Sequence, residues 1–139
     1  MVGAGAVGCY YGGRLAEAGG DVHFLMRSDY EVVVEQGLRV ESVNGDFCLE
    51  DVCAYRSSAE IGACDLVLIA LKATANGNLE ELIRPLLKEG TVIVMLENGL
   101  GGDEELAALF GADRVIGGLC FVCINRTAPG VVSLSLIHI

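Results

Sequence analysis

The chain contains no tryptophan, two prolines (Pro85 and Pro129) and two histidines (His23 and His138). Histidines this isolated argue against a histidine-based nucleophile relay or a histidine-rich metal centre. Cations are also scarce, with nine Lys and Arg against nineteen Asp and Glu, a formal charge of −10. That balance argues against nucleic acid or an anionic membrane surface as a partner. It also means that an anionic ligand has to be held by local positive features. No apolar run reaches the roughly 18 residues that a membrane helix needs, and the first residues do not read as a secretory leader.

What the chain has in excess is apolar character. Hydrophobic residues make up 53% of it, and the mean hydropathy is +0.52. Strands of a parallel sheet are covered on both faces and read as continuous Val/Ile/Leu runs, which accounts for such an excess. Surface meant for a neighbour would add to it. Six cysteines include a C-x-x-C, Cys120 to Cys123, inside the apolar run "GGLCFVCI". Read as a strand, that run turns the two thiols to opposite faces. The cysteines therefore read as small buried hydrophobes in a reducing cytoplasm, with no metal site.

Strand and helix signals alternate along the chain. A helix is expected from Ala6 to a stop at Gly19-Gly20, and a strand over 21–27. A short helix follows over 28–37, with Ser28 or Asp29 as its cap and Gly37 closing it. Asn44-Gly45 marks a hairpin within 38–55. Buried strands are expected over 65–72 and 91–96, and a helix over 78–90 in spite of Pro85. Acidic residues start a helix over 102–111, and the last clear strand spans 113–124. This alternation predicts an α/β fold, a doubly wound, Rossmann-like parallel sheet.

The opening "MVGAGAVGCYYGG" places Gly3, Gly5 and Gly8 in a G-x-G-x-x-G. In such a loop the first glycine makes the tight turn and the second lets the backbone approach a pyrophosphate. The third lets helix and strand pack closely. The helix N-terminus adds about half a positive charge, which suits an acidic protein that must hold an anion. Yet only Met1 and Val2 precede the loop. A first strand so short would leave its neighbours with unpaired backbone groups.

An NAD site usually carries Asp or Glu at the end of the second strand, accepting from the ribose 2′-hydroxyl. Here Arg27 and then Ser28 stand there, nineteen positions after Gly8. A cation in that place suits a 2′-phosphate and points to NADP. Other polar residues also fall at carboxyl ends of strands, where ligands sit in open α/β sheets. They are Lys72 after "DLVLIAL", Asn98 after "TVIVMLE", and Asn125-Arg126 after "LCFVCI".

Taken in order and spacing, "GAGAVGCYYGGRLAEAGGDVHFLMR", "GLRVES", "DLVLIALKA", "ENGLG" and "RTAPGVV" resemble the N-terminal domain of the ketopantoate (2-dehydropantoate 2-) reductase family. The resemblance covers residues 2 to about 132. It implies an NADP-binding domain over 1–133, in which Gly3, Ala4, Gly5, Ala6, Val7 and Gly8 bind the pyrophosphate and Arg27 the 2′-phosphate. It places Lys72 beside the cofactor, and Asn98 beside the nicotinamide and a small 2-oxoacid substrate. The implied reaction is NADPH-dependent reduction of 2-dehydropantoate to (R)-pantoate, in the cytoplasm, in pantothenate synthesis. The family's proton donor is a lysine on a C-terminal helical domain that also supplies much of a homodimer interface, and this chain contains neither. Family members have about four more apolar residues before the glycines, and they do not continue as "SLSLIHI". On that reading the chain is a piece clipped at both ends, with 134–139 outside the family pattern. Position 97 is Glu where the family commonly has Gln, and "KATAN" lacks the aromatic or long polar residue often found after the lysine.

Two other functions share these features. One is another NADP-linked 2-oxoacid or hydroxyacid reductase, and the other a nucleotide-sensing domain without chemistry. Polar residues at neighbouring strand ends, Lys72 and Asn98, favour a reductase over a sensor. A methyltransferase using S-adenosylmethionine would call for an acidic residue where Arg27 stands.

Overall fold

The computed structural model describes residues 1–72, 79–97 and 101–135. Its elements run α1 (Ala6–Glu17), β1 (His23–Leu25), α2 (Tyr30–Gln36), β2 (Leu38–Ser42), β3 (Phe47–Leu49), β4 (Cys53–Tyr55) and α3 (Ser58–Ile61). They continue as β5 (Leu66–Ile69), α4 (Leu79–Ile83), β6 (Val92–Met95), α5 (Gly102–Phe110), β7 (Val115–Gly117), β8 (Ile124–Ala128) and β9 (Val131–Leu134).

Val2 lies fully buried between β1 and β5, forming parallel bridges to Leu25 and Ile69. Its amide donates to Leu68 O (2.8 Å), and its carbonyl accepts from the Ala70 amide (2.8 Å). On the other side the Leu25 amide donates to Met1 O (2.9 Å), and the Met1 ammonium donates to His23 O (2.6 Å). Burial pushes that ammonium down to about 6. Two residues therefore form parallel ladder bonds to both neighbouring strands.

With Met1–Val2 in place, the parallel sheet has the order β4, β1, Val2, β5, β6, β7. Strands after the first step outward on one side, and later strands step outward on the other. This is the doubly wound order expected from the sequence, with its switch point at the glycine loop. A second sheet, in the order β3, β2, β9, β8, mixes the antiparallel β2–β3 and β8–β9 pairs with a parallel β2–β9 pair. Two apolar clusters hold the elements together. Val2, Val67, Ile69, Ile83, Ile93 and Leu106 belong to one. Phe24, Met26, Val33, Leu38, Val40 and Val132 belong to the other, which joins the two sheets.

Several expectations are met in detail. Helix α1 stops where expected, as the Gly19 amide returns to Ala16 O and the Gly20 amide to Leu15 O (2.9 Å each). Asn44-Gly45 turns the β2–β3 hairpin, and Gly45 takes the positive φ (+106°) that such turns demand. Helix α5 carries Asp103, Glu104 and Glu105 in its first turn and ends at Gly111.

Others are corrected. Pro85 ends regular helix at Ile83, and a 3₁₀ turn over Arg84–Leu86 follows, because proline has no amide to continue the ladder. The strand expected over 113–124 is divided. β7 stops at Gly117, and β8, beginning at Ile124, belongs to the other sheet. Cys120 and Cys123 fall in the irregular stretch between them, so strand alternation does not govern where their thiols point. Leu119 and Phe121 in that stretch are 87% and 83% exposed. Helix α3 was not anticipated, although its capping box, Ser57 with Glu60, is a recognisable signal. Among the described residues, no helix is long and apolar enough to cross a membrane.

Candidate dinucleotide site

The three glycines of the loop have three different surroundings. Gly3 takes φ +89°, and a Cβ there would lie 2.8 Å from the Ala70 carbonyl carbon. A Cβ on Gly8 would lie 2.2 Å from Gly3 O, so only glycine lets α1 sit this close to the loop. A Cβ on Gly5 would meet nothing within 4 Å. At Gly5 the backbone therefore faces open space at the start of α1.

Gly5 is also the N-cap of α1, without a side-chain cap hydrogen bond, and the first turn has no acidic residue. The first intrahelical bond runs from the Cys9 amide to Gly5 O (2.8 Å). The amides before it lack intrahelical acceptors, which makes this end of the 12-residue helix a ready anion site. A diphosphate fits such a cradle: open at Gly5, closed by backbone at Gly3 and Gly8, uncapped at its amides.

All strands of the first sheet run parallel, so their carboxyl ends share one edge. The glycine loop leaves Val2 there. Arg27 follows β1 at the same edge, is exposed, and forms no ion pair with another described residue. Lys72, also exposed, comes three positions after the last residue of β5. Asn98, expected beyond β6, lies outside the described residues. The edge thus gathers the glycine loop, Arg27 and Lys72.

Asn125 and Arg126 are not part of this gathering. They lie within β8 of the second sheet, and the Arg126 side chain is engaged. Its Nε donates to Asp29 Oδ2 (2.7 Å) and its Nη2 to Asp29 Oδ1 (2.5 Å). Asp29 also accepts from the Gly130 amide (3.1 Å) and the Ser28 hydroxyl (3.0 Å). The expected capping of α2 by Ser28 or Asp29 is absent, because the Asp29 carboxylate is turned to Arg126 instead. The Arg126 guanidinium holds the Asp29 carboxyl below the usual carboxylate range, against the opposing effect of burial. No pattern within the sequence links two residues 97 positions apart.

All six cysteines are free thiols, but the expectation that they are buried holds for Cys9 alone: Cys48 and Cys53 are exposed, and Cys64, Cys120 and Cys123 are half-buried. Cys9 donates to Ala4 O (3.2 Å), and burial pushes its thiol up to about 12, which suits a packing role beneath the loop. Among the described residues, no group of three or more His, Cys, Asp or Glu side chains is placed to hold a metal ion.

The family model described as ketopantoate reductase PanE/ApbA matches residues 1–138. The chain belongs to the ketopantoate reductase family. A 2-dehydropantoate 2-reductase of Nostoc sp. is 47% identical over 132 residues, covering 95% of this chain and 41% of that protein. The crystal structure of a 2-dehydropantoate 2-reductase from Geobacter metallireducens superposes with a TM-score of 0.94 at 57% identity. It covers 96% of this chain and 44% of that one. A second such crystal structure, from Methylococcus capsulatus, gives a TM-score of 0.87 at 36% identity over 97% of this chain. The chain thus spans less than half the length of these relatives. Ketopantoate reductases are oxidoreductases, and membership implies a nicotinamide cofactor.

Proposed function

We propose that this chain is the cofactor-binding half of an NADPH-dependent 2-dehydropantoate 2-reductase. The observation that carries the reading is the shared edge: an uncapped α1 N-terminus behind Gly5, with Arg27 exposed at the end of the adjacent strand. Loop amides from Gly3 to Gly8 hold the pyrophosphate, and Arg27 grips the 2′-phosphate as a bidentate donor. Lys72 borders the cofactor, and Asn98 orients the nicotinamide and the ketone of a 2-oxoacid. When bound, the cofactor supplies a hydride to that ketone. The alkoxide so formed needs a positioned acid. We assign that role to a lysine of a C-terminal helical half beyond this chain, which also builds a homodimer. The setting we propose is cytoplasmic pantothenate synthesis.

A second reading, reduction of a different 2-oxoacid, is favoured by one feature. Glu97 stands where the family commonly has Gln, and adds a negative charge next to Asn98.

The test is titration of the full-length protein carrying this chain with NADPH and NADH. Losing a charged hydrogen bond costs about 1.5–3 kcal/mol, and each ~1.4 kcal/mol is a factor of ten. NADPH should therefore bind at least about tenfold more tightly, and Arg27→Asp should abolish the difference. Equal affinities in the unmutated protein would overturn the assignment.

A further inference from the structure

The short segment carrying Arg27 is anchored on both sides. Before it, Met26 is buried, and its amide donates to Tyr55 O of β4 (2.8 Å). After it, Asp29 is 4% exposed and accepts from Arg126 through two bonds and from the Gly130 amide through a third. Only Arg27 and Ser28 lie between the anchors. The long-range bonds of the second anchor come from the other sheet: Arg126 lies on β8, and Gly130 in the turn between β8 and β9.

Two features of this arrangement exceed what the packing of α2 requires. Asp29 occupies the N-cap position of α2, yet its carboxylate makes no cap bond and is spent on the long-range contact. An aspartate two residues from an exposed arginine is also a natural local partner for it. Held by Arg126, Asp29 is unavailable to Arg27, whose guanidinium stays open to a ligand.

We propose that Arg126 and Asp29 are positioning residues for cofactor selectivity. By clamping the segment and occupying the Asp29 charge, they keep Arg27 placed and unpaired for a 2′-phosphate. The inference rests on the reading of Arg27 given above, and adds to it a second sheet that sets the strength of the grip.

The test measures NADPH and NADH affinities of the full-length protein with Arg126→Ala, Arg126→Lys, Arg27→Ala and the Arg126→Ala/Arg27→Ala pair. Arg126→Ala should weaken NADPH binding at least about fivefold and leave NADH within about twofold, a selective loss that general destabilisation does not produce. Arg126→Lys, which keeps the charge and one bond, should restore part of the preference. It also serves as the readout if the alanine variant does not fold. Thr91→Val is the control. It removes the buried hydroxyl that donates to Cys64 O (2.7 Å) and accepts from the Lys88 amide (2.8 Å), and should lower stability without changing the cofactor ratio.

In the Arg27→Ala background, Arg126→Ala should change the ratio no further. Additive losses would mean that Arg126 meets the phosphate itself, and would overturn the positioning role. Equal weakening of both cofactors by Arg126→Ala, or no weakening of either, would also overturn it. If Arg27→Ala alone leaves the preference intact, the reading of Arg27 fails as well. If Arg27→Ala abolishes the preference and Arg126→Ala spares it, only the clamp fails.

Discussion

Arg126 holds both carboxylate oxygens of Asp29 across 97 positions of sequence, joining the β8 strand to the start of α2. Hydrogen bonds to charged groups contribute about 1.5–3 kcal/mol each. The Arg126 side chain is 41% exposed, and solvent screens the pair. Arg126→Ala should therefore cost about 1–2 kcal/mol in urea unfolding at neutral pH. The Arg126 bonds depress the Asp29 carboxyl below its unfolded value. Their stabilisation is present above that value, about 3.9, and is lost as pH falls through the folded one. The gap in unfolding midpoint between parent and Arg126→Ala should narrow below about pH 4. A gap that stays constant into acid would show that the pair contributes little.

The glycine loop separates folding from binding at two positions three residues apart. An alanine methyl at residue 8 meets the backbone oxygen of Gly3, which cannot move aside as a side chain can. Gly8→Ala should cost about 1–3 kcal/mol of stability. Gly5→Ala places its methyl in open space at an ordinary φ of −86°. It should change stability by less than about 1 kcal/mol, yet weaken NADPH at least about tenfold by blocking the backbone's approach to phosphate. Calorimetric melting and NADPH titration of the two variants check both halves. Similar binding losses with no stability difference would contradict the assignment.

Met1 and Val2 fill the central place of the sheet, so their ladder should be among its most protected parts. Hydrogen exchange should be slow at the Ala70 and Leu25 amides, which donate to Val2 O and Met1 O. Fast exchange at both would mean that the two residues do not hold the strand position.

The doubly wound sheet was legible because its signals are local and periodic: Val/Ile/Leu runs, the G-x-G-x-x-G, the Asn44-Gly45 turn and the Gly19-Gly20 stop. The positions of Arg27 and Lys72 beyond strand ends were legible for the same reason, since the end of a strand can be read from its own apolar run. What escaped was contact between distant segments. Nothing around Arg126 says that it leaves the carboxyl edge of the parallel sheet for a partner near β1, or that Asp29 gives up capping to meet it. The run 113–124 looked like one strand because its apolar residues are continuous. The chain breaks it at Gly117-Gly118, where a Cβ on Gly118 would lie 2.8 Å from the Leu96 side chain.

Asn98, as the residue proposed to orient ketone and nicotinamide, should matter for turnover more than for folding. Asn98→Ala in the full-length protein should lower kcat/KM at least about tenfold, a loss of ~1.4 kcal/mol of transition-state stabilisation. Unchanged steady-state kinetics would overturn that role.

The most direct measurement is NADPH oxidation in the presence of 2-dehydropantoate, run on the full-length protein and on the 139-residue chain alone. The account predicts turnover by the full-length protein, with NADPH favoured over NADH. It predicts none above background by the 139-residue chain, because the proton donor is assigned to the C-terminal half. NADPH binding without turnover by the full-length protein would contradict the reductase reading. Turnover by the isolated chain would place the catalytic acid within these residues and contradict the division of labour between the two halves.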